Sequence, residues 1–112
     1  MNPALLPAAA AGLSAQLAMV IAGHYLPFVR DNLFAVGGMA ISLAAGLWFA
    51  RTAHAGWPPS LLGGLVAGGA CALLGIAVSV ALKDTAAQIL FVGTLGSAVA
   101  GLVGGAVGKL LA

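Results

Sequence analysis

"GTLGSAVAGLVGGAVG", residues 93–108, decides the fold. It carries no charge and alternates small residues with Leu and Val. At 100° per residue, Thr94, Ser97, Gly101, Gly105 and Gly108 fall on one face of a helix. Lipid gives helices no hydrophobic drive to associate, so they meet where small side chains let two backbones approach. A stripe of this kind is therefore a packing surface. It holds more small residues than one neighbour requires, which suggests a second partner in the same chain or in another copy.

The same logic extends outward along the chain. Gly64, Gly68, Gly75 and Ser79 share a face in the segment before it. Gly38, Ser42, Ala45 and Gly46 do so in an earlier one, and Gly12, Gln16 and Gly23 in the first. The 112-residue chain is 62% hydrophobic and only 5% charged. Soluble domains are about 25% charged, and a chain this short cannot bury so much apolar surface in a core of its own. The bilayer must be its solvent. The net charge of +2 comes without any basic run, which excludes a nucleic-acid footprint.

A spanning helix needs about 20 apolar residues, and the charges cut the chain into pieces of that length. Helices are predicted over about 4–28, 33–50, 60–82 and 86–110, forming one transmembrane domain over residues 1–112. Arg30-Asp31, Arg51 and Lys83-Asp84 mark the boundaries, and "GWPPS" before the third helix holds the only double proline. Pro59 suits a first helical turn. Asp31 and Asp84 stand where either is able to cap the helix that follows. Tyr25, Trp48 and Trp57 lie near the boundaries, where amphipathic rings anchor. No basic region precedes the first apolar run, so it is read as a retained helix. The expected fold is all-α, an integral membrane four-helix bundle with short loops.

An internal repeat also shows. "RDNLFAVGGMAISLAAGL" and "KDTAAQILFVGTLGSAVAGL" both open on a basic residue and Asp and close on Ala-Gly-Leu, and "PALL" and "PSLL" open the two halves. This suggests a duplicated two-helix hairpin whose halves run in the same direction.

Polar residues inside the spans are few. Gln16 lies in mid-span and needs a hydrogen bond, to Ser42, Ser79, Thr94, Ser97 or a backbone carbonyl, unless it lines a path. His24 lies near the interface, as an anchor or as a group whose charge changes near neutral pH at a pore mouth. Gln16, His24, Ser42, Ser79, Thr94 and Ser97 are the pore or ligand candidates. Gly12, Gly23, Gly38, Gly46, Gly64, Gly68, Gly75, Gly101, Gly105 and Gly108 are the helix-packing candidates. His54 and His24 fall at opposite surfaces, so no shared metal site is expected within one chain. The single Cys71 excludes an internal disulfide. No catalytic set, cofactor motif or metal motif is found, and no enzyme activity is expected.

In size and span number the chain resembles small multidrug transporters and small fluoride channels. It departs from both: its first span has no membrane glutamate, and the Asn-rich signature of the fluoride channels is missing. "PSLLGGLVAGG" is similar to a stretch in a small eukaryotic four-helix membrane family.

Arg51 and Lys109 lie on the side of the termini, and Arg30 and Lys83 on the other. This balanced count permits either orientation, with net charge weakly favouring cytoplasmic termini. The expected function is a homo-oligomeric passive channel or small-solute transporter, with a bacterial inner membrane as the expected location. The alternative is a non-transporting accessory subunit packed against a larger membrane complex.

Overall fold

A computed structural model describes residues 3–32 and 34–111, with residues 30–32 and 35 described by backbone alone. All regular elements among the described residues are helical: α1 (Leu5–Tyr25), α2 (Pro27–Asn32), α3 (Phe34–Ala53), α4 (Trp57–Ala81) and α5 (Ile89–Leu111). Four helices, all but the short α2, are long and apolar enough to cross a membrane. The molecule measures 40 × 21 × 21 Å, long enough for a hydrocarbon layer of about 30 Å and part of its interfaces.

The helix ends differ from the sequence boundaries for identifiable reasons. The first span stops at Tyr25 rather than near residue 28. Leu26 is extended (φ −117°, ψ 101°) because Pro27 disfavours the α conformation in the residue before it. The chain then makes the short helix α2, so Asp31 lies within a helical turn rather than in a loop. The second span runs past Arg51 to Ala53, since a long cationic side chain reaches the interface without ending its helix. The third begins at Trp57, not residue 60, with both prolines in its first turn, where missing N–H groups cost nothing.

The fourth begins at Ile89, not residue 86. Here α4 ends in a Schellman motif: Lys83 N donates to Val80 O (2.9 Å) and Asp84 N to Ser79 O (3.0 Å). Lys83 takes the left-handed conformation (φ 64°) that glycine usually supplies. The turn delays α5, and Asp84 does not cap it.

None of the 17 glycines has a positive φ, so their common contribution here is the missing Cβ. Around the middle of the bundle α3, α4 and α5 meet backbone to backbone. A Cβ on Gly64 would strike the Gly101 carbonyl, and one on Gly101 would strike that of Gly64. A Cβ on Gly68 would sit 2.8 Å from Gly101 Cα and 3.1 Å from the Ser42 carbonyl oxygen. Gly105 meets the Ser60 carbonyl.

Gly46 presses on α5 at Gly101, while Gly104 meets the Leu43 carbonyl and Gly108 lies against Leu47 and Ala50. The small residues of α5 thus serve two neighbours in the same chain: Gly101 and Gly105 face α4, and Gly104 and Gly108 face α3. Gly104 belongs to this surface although the stripe read from sequence omits it; its spacing from Gly101 and Gly108 carries the signal.

The first helix, α1, packs on α3 and α4 and has no contact with α5 among the described residues. A Cβ on Gly12 would meet Ala45 Cβ and Cys71 Sγ at 3.0 Å, Gly23 is buried, and Leu5 and Leu13 cover the small cluster of Ala45, Ala67 and Cys71. Outward-facing Leu6, Leu62, Leu95, Val99 and Leu110 are exposed, as expected of a surface solvated by lipid.

Candidate functional site

Polar side chains converge where α1, α3 and α4 meet. Gln16 is 2% exposed. Its Nε2 donates to the Gly38 carbonyl (3.1 Å) and to Ser42 Oγ (3.3 Å). Gly38 offers only an acceptor there, so the amide nitrogen must face α3, and the side chain's orientation follows from its partner. Ser42 Oγ in turn donates to the Gly68 carbonyl of α4 (3.0 Å). Cys71 Sγ lies 3.9 Å from Gln16 Nε2 and 3.8 Å from Ser42 Oγ, and donates to Gly68 O (3.3 Å). The network binds α1 to α3 and α3 to α4 at mid-membrane depth. Gly38 and Gly75 flank Gln16, and a Cβ on Gly75 would lie 2.9 Å from Gln16 Cβ.

Gln16 Oε1 accepts no hydrogen bond from the described residues. Gln16 lines a cavity of about 610 Å³, large enough for a drug-sized molecule. Phe34, Gly38 and Met39 of α3, Ile76 of α4, and Val92 and Gly96 of α5 form most of its walls. Ser97, only 4% exposed, is also on its surface, and its hydroxyl has no partner among the described residues. Asp84, Thr85 and Ala86 close the other end. Between α3 and α5 the rim is made by Met39 and Val92, 46% and 67% exposed, so the cleft also opens sideways at the level of the spans.

Side-chain contacts tie down the loop end. His24 Nδ1 lies 2.7 Å from Asp84 Oδ2, joining the end of α1 to the α4–α5 turn. The Asp84 side chain is 9% exposed and that of His24 35%. The Schellman turn points Asp84 back across the bundle and supplies the local reason for the pair. Ser79 Oγ and Thr85 Oγ1 form a second bond at 2.6 Å. His24 also meets Tyr25 edge to face, with ring centroids 5.0 Å apart.

The sequence candidates therefore divide. Gln16 and Ser42 join one network, His24 joins Asp84, and Ser79 joins Thr85 beside the same cleft. Thr94 Oγ1 is buried without a partner among the described residues and does not line the cleft. Of the span serines, Ser14 bonds back to its own helix at Ala10 O (2.9 Å), whereas Ser42 bonds across to α4. Asp84, Met19 and Met39 are site residues that sequence reading did not select. Asp84 looked like a helix cap, and its partner is 60 residues away. His54, with φ 53°, ends α3 at the opposite end of the bundle.

The geometry offers an apolar cleft with a hydrogen-bonding floor in mid-membrane and a His24–Asp84 latch at one end. Comparison with known proteins adds no name to it: no family matches the chain, and neither curated proteins nor solved structures give a match.

Proposed function

We propose that this membrane protein is a small-solute transporter whose solute site is the cleft formed by all four spanning helices. One observation carries the reading: a cavity of about 610 Å³ reaches from the α4–α5 loop to Gln16. Ligand sites are usually concave, mainly apolar and furnished with a few placed polar groups, and this cavity has that character. The site lies within one chain. Because α5 spends its glycines on α3 and α4, the small-residue stripe does not require a second copy, and a homo-oligomer enters only as a means of completing a path.

A second reading, an accessory subunit without transport, draws on the other end of the bundle. There the glycine contacts of α3, α4 and α5 are backbone to backbone and leave no room for a solute between these helices. Transport would then need helix movement at that seam, whereas a packing subunit would need none.

Flux from liposomes of the purified protein separates the two. Gly96→Phe fills the cleft without a clash at its first atom, since a Cβ there meets nothing nearer than Met39 Cε at 3.8 Å. The wild type is expected to release small uncharged solutes and Gly96→Phe to abolish the release. Absence of flux from folded, inserted wild type across a panel of ions and neutral solutes rejects the transporter reading and favours the accessory one.

A further inference from the structure

We propose that the cleft binds an uncharged amphiphile: a mainly apolar molecule that enters through the opening between α3 and α5 and presents a hydroxyl or N–H donor to Gln16 Oε1. The proposal deepens the transporter reading and rests on it for the identity of the solute, but its binding step is tested separately.

Three observations support it independently. First, the Gln16 amide is oriented from behind. Both Nε2 hydrogens are committed to Gly38 O and Ser42 Oγ, so the group left toward the cleft is an acceptor. No described residue donates to that oxygen, and a ligand hydroxyl supplies a donor. Second, Ser97 is 4% exposed with an unpartnered hydroxyl on the same cavity. It lies beside the same part of α4, since a Cβ on Gly68 would sit 3.0 Å from the Ser97 carbonyl oxygen and 3.1 Å from that of Ser42. The floor therefore offers one fixed acceptor and one hydroxyl able to donate or accept.

Third, the walls set the rest of the ligand. Met19, Met39, Ile76 and Val92 are apolar, and thioether side chains adapt to varied shapes. Among the described residues the charged one lining the cavity is Asp84, at the loop end and engaged with His24. An ion seated at the floor would lose its hydration without meeting a counter-charge, which disfavours ions there. The exposed rim at Met39 and Val92 gives an apolar molecule a route from the lipid.

The test is isothermal titration of the full chain in lipid nanodiscs, with empty nanodiscs as the partition control. The probes are 4-propylphenol and its methyl ether, 4-propylanisole, which share an apolar body and differ in the donor hydrogen. The wild type is expected to bind the phenol about tenfold more tightly, the factor that one well-placed hydrogen bond supplies. Gln16→Met should erase this preference, Ser97→Ala should weaken the phenol several-fold, and Gly96→Phe should exclude both probes. The Ser97 hydroxyl makes no hydrogen bond among the described residues, so its variant remains informative if Gln16→Met fails to fold. Equal affinity for the two probes, or no binding above empty nanodiscs, overturns the proposal. Binding with this preference but no flux leaves the site standing and removes the transporter; flux without binding does the reverse.

Discussion

The two ends of this bundle use the same residue types in opposite ways. Toward the C-terminus of α5, Gly101, Gly104, Gly105 and Gly108 sit against carbonyls and Cα atoms of α3 and α4, and every added Cβ would strike a neighbour. Toward its N-terminus, Gly96 would gain a Cβ with only ordinary contacts. There the helices part around the cleft, and side-chain contacts such as His24–Asp84 and Ser79–Thr85 take over from close packing. Small residues therefore do not have one meaning along a membrane helix. Where backbones touch they act as a seam, and where the helices diverge they leave volume.

The largest expected effect tests that contrast directly. Gly101→Leu should abolish folded, monodisperse protein, because overpacking costs typically about 1–3 kcal/mol and here the obstacles are backbone atoms of Gly64 and Gly68 on α4. Gly96→Leu should stay within about 1 kcal/mol of wild type. Reversible unfolding in mixed micelles measures both, and comparable losses would erase the distinction between the ends.

Next in size is the network at the boundary between the two regions. Gln16→Leu removes its bonds to Gly38 and Ser42 and should lower stability by about 0.6–2 kcal/mol in the same assay. No loss would mean that the amide does not hold α1 in place.

A smaller effect is expected at the latch. A double-mutant cycle of His24→Ala and Asp84→Asn should give a coupling of about 0.5–1 kcal/mol, since burial of Asp84 strengthens the attraction but also costs it hydration. Additive single effects would show that the pair only marks where the two segments lie. Smallest is Lys83→Gly. Relief of the left-handed conformation should slightly outweigh the greater freedom of the unfolded chain, raising stability by less than about 1 kcal/mol. A loss would show that the lysine side chain does something the turn itself does not need.

Much of the architecture is readable in advance because it depends on local chemistry. Charges and the double proline divide the spans, and the helical period puts Gly64 and Gly68 on the face that meets Gly101. Gln16 is conspicuous as a lone amide in an apolar run. What local chemistry does not disclose is distance across the bundle. Asp84 beside Lys83 has the pattern of a helix cap, and only the Schellman turn, with a lysine in a conformation that glycine prefers, swings it toward His24. The cleft is equally hidden. It arises because helices that touch at Gly101 diverge by Gly96, and no single residue encodes that divergence. The free Ser97 hydroxyl gains its significance only from the cavity beside it.

The position of α1 outside the seam has a consequence for how the protein is made. Of the four spanning helices, α1 leaves the ribosome before the others and owes its polar satisfaction to segments that follow it: the partners of Gln16 stand 22 and 26 residues further along. A nascent α1 therefore enters the bilayer with its amide still in need of company, and α4, on which it also packs, comes later again. The three helices α3, α4 and α5 carry among themselves the glycine contacts of the seam, whereas α1 has none with α5. Among these four spans, α1 is therefore the one whose docking surface is completed by helices translated after it.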